Sequence, residues 1–228
     1  MISTEQRDND IRTLAEVNGA LSPLRNMSFL VTGSYAIEAL THAPVDHGDM
    51  DANVFAPDLP QARAATLELL NTAHDLRPYK QTSDRLEYDI QPSTQSVDPR
   101  RLEIHLVQAQ ADLVQPNTYV LANPNSRKIF QISLVDAWLK DSKGRDHFFK
   151  VKSLAYSLAT WAIRISGLAQ NQLRPVRDSD LELFKLLLSQ TFTLAEVNSA
   201  IEHHPQTPEN IRPEKIFQTA KDILKSKS

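Results

Sequence analysis

Apolar and polar positions recur along this chain with two different periods, and the change of period divides it. Ile11, Leu14, Val17 and Leu21 are spaced three or four apart, which predicts a leading helix over residues 3–21 capped by Ser3. Phe29-Leu30-Val31 is a short continuous apolar run suited to a buried strand. It stops at Gly33-Ser34, and residues 35–40 read as a short helix. A loop with Pro44 leads to a second apolar strand that carries Asp49-Met50-Asp51 at its start. Asp58-Leu59-Pro60 opens a further helix with Ala62, Ala65, Leu69, Leu70 and Ala73 on its apolar side, proline in the first turn being compatible with a helix start. Between Arg77 and Arg100 the pattern is interrupted by Pro78, Pro92 and Pro99, leaving one edge strand near residues 86–90. Residues 101–107 then alternate cleanly: Leu102, Ile104 and Leu106 share one face, Glu103 and His105 the other.

A hairpin is predicted next, residues 117–121 and 128–132 around the turn Asn123-Pro124-Asn125-Ser126. After Ser133 the pattern reads as helical to the end. Ser133 can cap a helix over 134–140, Gly144 marks a break, and residues 151–168 form a long helix with Leu154, Leu158, Trp161, Ile165 and Leu168 in one stripe. A charged turn from Leu173 and Arg174 through Arg177, Asp178 and Asp180 enters a helix with Leu181, Phe184 and Leu188, as expected of carboxylates at a helix N-terminus. Thr193 and Glu196 form a capping box, His203-His204-Pro205 a helix exit, and Pro213 opens a last helix with Ile216, Phe217, Ala220, Ile223 and Leu224 inward. The expected fold is therefore α/β (α+β): a small mixed sheet flanked by helices in residues 1–132, and a helical C-terminal part over 133–228. No internal repeat is visible.

Composition narrows the function. A chain of 228 residues, 41% hydrophobic, can build one large domain or two small ones sharing an interface. The absence of cysteine excludes a disulfide framework, a thiolate zinc site and a cysteine nucleophile. The polar start MISTEQRDND does not read as a secretory signal and no apolar run reaches membrane-spanning length, so a cytoplasmic protein without a membrane partner is expected. A net charge of −3 argues against a general nucleic-acid coat. The charge is uneven, however: Lys140, Lys143, Arg145, His147, Lys150 and Lys152 form a basic stretch, ordinarily a solvated face. Lys150 and Lys152 are the candidate triphosphate contacts within it.

The segment from Phe29 to Phe55 concentrates the chemistry. Asp49 and Asp51 point to one side of their strand while Met50 points into the core. Two neighbouring carboxylates repel each other, and a hard divalent cation, Mg²⁺ with Mn²⁺ as a substitute, relieves them while also binding substrate phosphates. Gly33 permits close backbone approach, and Ser34 lies where free helix N–H groups face an anion. Taken singly, the Asp-x-Asp pair and the Gly-Ser turn fit a loop edge and a helix cap; their combination in one strand–turn–helix–strand unit points to a phosphate-and-metal site.

These residues resemble the minimal nucleotidyltransferases of the DNA polymerase beta superfamily, the antibiotic nucleotidyltransferases and the nucleotidyltransferase toxins of abortive-infection systems. Their signature is an apolar strand, Gly-Ser or Gly-Gly, a helix, then apolar-flanked Asp-x-Asp, with a third carboxylate on a later strand. Gly33, Ser34, Asp49 and Asp51 fall on it, and His47-Gly48 is similar in place. Where many members carry an arginine before the aspartates, this chain has Ala43-Pro44-Val45-Asp46. The resemblance implies transfer of a nucleoside monophosphate from a nucleoside triphosphate to a hydroxyl with release of pyrophosphate. It makes Asp49, Asp51 and Glu103 the catalytic and metal-holding set, and Gly33, Ser34, His47, Lys150 and Lys152 the nucleotide-binding set. The acceptor could be an antibiotic, a tRNA or a protein, with an antitoxin as a further partner; Asp84, Glu87 and Asp89 would suit a cationic antibiotic, the basic stretch an RNA. Two other readings stand beside it: a degenerate fold that binds a nucleotide or partner without catalysis, and a metal-dependent hydrolase built on His47, His105 and the aspartates.

Overall fold

The structure is a computed structural model that describes residues 2–24, 26–72, 76–90, 100–122, 129–168 and 175–227. These residues form α1 (Thr4–Leu21), β1 (Ser28–Thr32), α2 (Gly33–Thr41), β2 (Met50–Ala56), α3 (Leu59–Asn71), β3 (Leu76–Gln81), β4 (Arg85–Ile90), β5 (Arg100–Gln108), β6 (Gln110–Ala111), β7 (Thr118–Ala122), β8 (Ile129–Lys140), β9 (Asp146–Lys152), α4 (Leu154–Ser166), α5 (Asp178–Leu188), α6 (Leu194–Glu202) and α7 (Pro213–Lys227). The fold is mixed α/β, with a helical C-terminal part. It divides into two compact units, Met1–Asn117 with Leu134–Val151, and Thr118–Ser133 with Lys152–Ser228. The chain therefore crosses between units after Asn117, Ser133 and Val151.

In the first unit the strands run in the order β3-β4-β5-β2-β1-β9-β8. The sheet is mixed: β1 pairs antiparallel with β2 and parallel with β9, β2 parallel with β5, and β5 antiparallel with β4. Ile11, Leu14, Val17 and Leu21 of α1 join Phe29 and Val31 of β1, Met50, Ala52 and Val54 of β2, and Leu102, Ile104 and Leu106 of β5 in one core. Caps expected at Ser3 and Asp58 are formed, accepting from Gln6 N at 3.2 Å and Gln61 N at 2.9 Å. In the second unit β7 pairs antiparallel with the first half of β8, and α4 packs against α5, α6 and α7, with Phe184 and Phe217 edge to face at 6.2 Å. The Thr193–Glu196 capping box is present, and Asp180 accepts the Arg177 backbone N–H at 2.9 Å.

Three elements differ from the sequence expectation. Residues 134–140 continue a twelve-residue strand and are not a helix. Val135 and Asp136 are consecutive exposed residues, and this slip puts buried Leu134 and Ala137 three apart, imitating a helical period. Ser133 accordingly caps no helix; its carbonyl accepts the Ser153 N–H at 3.1 Å. Residues 146–152, read as a basic stretch, form β9, so the following helix begins at Leu154 with Ser153 as its cap and not at Val151. Its inner side is Tyr156, Leu158, Ala159, Ala162, Ile163 and Ile165, while Trp161 is half-buried beneath the Arg164 guanidinium. Third, β4 is not an edge: β3 pairs outside it, and Pro78 sits at the register shift of that outer strand, where a missing N–H is tolerated. Ala73, Pro92, Pro99, the turn at Asn123 to Ser126, Lys128, Leu173 and Arg174 lie outside the described residues.

Candidate active site

The core face of β2 and β5 is fixed by Met50, Ala52, Val54, Leu102, Ile104 and Leu106, so Asp51, Asn53, Glu103 and His105 are forced onto the other face. Register then aligns them. Thr32 of β1 stands opposite Asp51, Asp51 beside Glu103, and Glu103 opposite Glu87 of β4; one row on, Asn53 stands beside His105 and His105 opposite Arg85. The expected adjacency of Glu103 and the aspartate strand is thus present in the pairing itself. Asp49 is exposed, one residue before β2.

Gly33 begins α2 at φ +64°, and a Cβ there would lie 2.5 Å from Asp51 Oδ2. The turn and the carboxylate are therefore pressed together at the one residue type that allows it. The N-terminus of α2 receives no side-chain cap: Thr32 occupies the cap position without a bond, and Ser34 points elsewhere. Burial first, and then the neighbouring charges of Glu103 and Asp49, push the Asp51 carboxyl up to about 6. That crowding is what an oxygen-seeking divalent cation would relieve, and Asp49 and Asp51 are the donor type Mg²⁺ takes. Glu103 is differently placed. Arg85 Nη2 donates to its Oε2 and His105 Nε2 bonds its Oε1, so both carboxylate oxygens are engaged. Among the described residues no three His, Asp or Glu side chains are gathered as a ready ligand set.

His47 lies against Ser34 at the start of α2. His47 is 4% exposed, stacks on Tyr35 with centroids 3.7 Å apart, and uses both ring nitrogens: Nδ1 to Ser34 Oγ at 2.9 Å and Nε2 to Glu38. Burial would raise the Glu38 carboxyl, but hydrogen bonds from His47 and Arg7 outweigh it and hold it below the usual range. Beside this chain Asp10 accepts from Tyr35 Oη at 2.6 Å and from Arg100 at 2.7 Å, and Arg100 also donates to the His47 carbonyl at 3.0 Å. Lys150, in the same unit, bonds Asn117 at 3.0 Å and Asp136 at 3.2 Å. Lys152 belongs to the second unit, where its ammonium lies 5.3 Å from the Tyr156 ring centre and burial pushes it down to about 8.

Sequence reading did not anticipate Arg85, Glu38, Arg7, Asp10 or Arg100. For Arg85 a signal was available: Arg85, Glu87 and Asp89 alternate with Leu86, Tyr88 and Ile90. The acidic residues considered for a cationic acceptor are largely neutralised. Glu87 is buried between Arg85, at 3.1 Å, and Arg101, at 3.5 Å, and Arg101 also reaches Asp89 at 3.5 Å. Among the described residues no helix is long and apolar enough to cross a membrane.

No protein-family profile and no curated protein sequence matches this chain. Among solved structures it is similar to the antibiotic-resistance factor ANT(2″)-Ia, at 12% identity over 96% of both chains with a TM-score of 0.48. It is similar to JHP933 from Helicobacter pylori, at 10% identity over 99% of this chain and 94% of that one with a TM-score of 0.47. It is also similar to MenT4, a nucleotidyltransferase toxin from Mycobacterium tuberculosis, at 11% identity over 94% of this chain and 93% of that one with a TM-score of 0.43.

Proposed function

We propose that this chain transfers a nucleoside monophosphate from a nucleoside triphosphate to a hydroxyl acceptor and releases pyrophosphate. The observation that carries the reading is the contact of Gly33 with Asp51: a glycine turn with an uncapped helix N-terminus is held against a carboxylate whose burial, and then its charged neighbours, raise its proton affinity. Asp49 and Asp51 would hold Mg²⁺ or Mn²⁺, and a cation bound there supplies charge neutralisation on the phosphates as the α-phosphorus is attacked in line. The backbone at Gly33 and the first N–H groups of α2 hold the outer phosphates. Ser34 adds its hydroxyl, which His47 orients from behind. Lys150, now bonded to Asn117 and Asp136, would serve as a further phosphate contact. Glu103 receives the acceptor's proton on a carboxylate oxygen once that oxygen is free of its present partner. The acceptor oxygen bonds phosphorus as the bond to the pyrophosphate oxygen breaks.

Neutralisation of Glu87 and Asp89 by Arg85 and Arg101 supports an RNA or protein hydroxyl over a cationic antibiotic. The hydrolase reading loses one of its ligands, since both nitrogens of His47 are engaged in a buried network. The test is a thermal shift with nucleoside triphosphate. Stabilisation should require Mg²⁺ or Mn²⁺ and vanish in the Asp49→Asn, Asp51→Asn double variant, because ligand binding stabilises by mass action. A metal-dependent shift that survives both substitutions would sink the site. Metal-dependent binding without label transfer from α-labelled nucleotide to any RNA or protein acceptor would leave a binding protein only.

A further inference from the structure

Glu103 is the carboxylate of the row that already has a partner on each oxygen, the Arg85 guanidinium on one side and the His105 ring on the other. Its setting explains why. Glu87 stands directly opposite Glu103 on the neighbouring strand, and like charges so placed repel. Arg85, two residues before Glu87 and on the same face, bridges the two: Nε lies 3.1 Å from Glu87 Oε1 and Nη2 bonds Glu103 Oε2. The two acids do not depend on Arg85 equally. Glu87 has a second guanidinium in Arg101, whereas on Glu103 the remaining partner is His105. The Arg85 side chain is 39% exposed, so it can leave for water without passing through the core. Its charge also reaches Asp51, the residue paired beside Glu103.

We propose that Arg85 is a built-in cation that competes with the divalent ion for Glu103, so that the third carboxylate joins Asp49 and Asp51 only when Arg85 lets go. This rests on the nucleotidyl-transfer reading of the site and adds a positioning residue to it. Arg85 keeps three crowded carboxylates folded while the metal is absent, and Glu103 does not ligate until an ion displaces the guanidinium. Arg101 keeps Glu87 paired during the exchange, so the displaced Arg85 leaves no buried carboxylate unpaired.

The test is Mn²⁺ affinity of the full chain, read by electron paramagnetic resonance without nucleotide, so that it does not depend on turnover. Arg85→Met should tighten Mn²⁺ binding by about tenfold, the scale on which removing one charged competitor from a partly buried carboxylate acts. Arg85→Gln, which keeps polarity at the position if the methionine variant does not fold, should tighten it in the same direction. In Arg85→Met, Glu103→Gln the gain should disappear, which makes the effect a coupling between these two residues. A role confined to strand pairing would lower stability and leave Mn²⁺ affinity unchanged or weaker. That result, with binding still abolished by Asp49→Asn, Asp51→Asn, would overturn the competition and leave the metal site standing. Mn²⁺ binding that persists in the double aspartate variant would overturn both.

Discussion

A methyl group at Gly33 would meet Asp51 Oδ2 at 2.5 Å on a backbone at φ +64°, so two penalties fall on one atom. Gly33→Ala should cost roughly 1–3 kcal/mol from the left-handed backbone and the displaced carboxylate. Urea denaturation reads the loss, and a midpoint equal to wild type would mean that the turn can relax. Asp51 carries the complementary test. Its folded proton affinity is raised, from 3.8 to about 6, so between those values the folded chain holds more protons than the unfolded one and stability falls as pH rises. Above pH 6 the whole penalty is present; below pH 4 it is absent. Asp51→Asn should therefore melt higher than wild type at pH 7.5, by up to about 3 kcal/mol of stability, with the difference shrinking toward pH 4. A difference independent of pH would assign the gain to packing instead of charge. Both residues were legible in the sequence, one as a turn glycine and one as half of an alternating pair, because each requirement is local.

At the scale of elements, α2 is fixed by a buried network that ties it to α1 and β5. Asp10 is 1% exposed and is held by Arg100 and Tyr35. Burial raises its carboxyl and the two partners oppose that rise. Arg100→Met would strand this charge and should destabilise by about 3–5 kcal/mol, whereas Arg100→Met with Asp10→Leu should recover much of it. Equal losses in the single and double variants, measured by guanidinium unfolding, would show that Arg100 acts through His47 instead. Ser34→Ala makes a contrasting case. Its hydroxyl caps nothing and faces His47, so stability should change by no more than about 1 kcal/mol, with triphosphate affinity falling more than monophosphate affinity by isothermal titration. Equal falls would remove Ser34 from the outer phosphates. None of this network was readable beforehand. Asp10, Arg100 and Glu38 lie on three separate segments, and only packing brings them to His47. Arg85 escaped for a related reason: its partner is chosen by the register of β4 on β5, which the apolar pattern of β4 alone does not specify.

For the molecule as a whole, Asp51 in one unit and His204 in the other respond to acid in opposite senses. Asp51 in the first favours folding as pH falls toward 4. In the second, His204 is buried, accepts the Gln206 N–H on Nδ1 at 3.2 Å and contacts Thr160 with Nε2 at 3.3 Å; burial, with Lys152 nearby, pushes it down to about 3. A depressed histidine stays neutral when folded and charges when unfolded, so its contribution is lost as pH falls below 6.5. Hydrogen exchange at pH 5 against pH 7 should loosen α4 and α6 more than β2 and β5, after correction for intrinsic rates. His204→Gln should remove about 2 kcal/mol of that pH dependence. Uniform loosening would refute the assignment. The helices of the second unit were largely legible, since each carries its own period and caps. Residues 134–151, which belong to the first unit, were less legible: a slip in alternation and a run of charges concealed the second half of β8 and β9.

Those two strands bear on how the chain is made. Residues 134–151 complete a unit begun at the N-terminus, after an excursion of 118–133 into the other. A ribosome delivers residues in order, so the stretch bearing Asp49 and Asp51 leaves the exit tunnel long before β9, the parallel neighbour of β1, has been synthesised. Until then β1 has an open flank and the carboxylates stand on an unfinished sheet. A chain stopped before residue 151 therefore lacks the strand that flanks β1, the strand leading directly into Gly33.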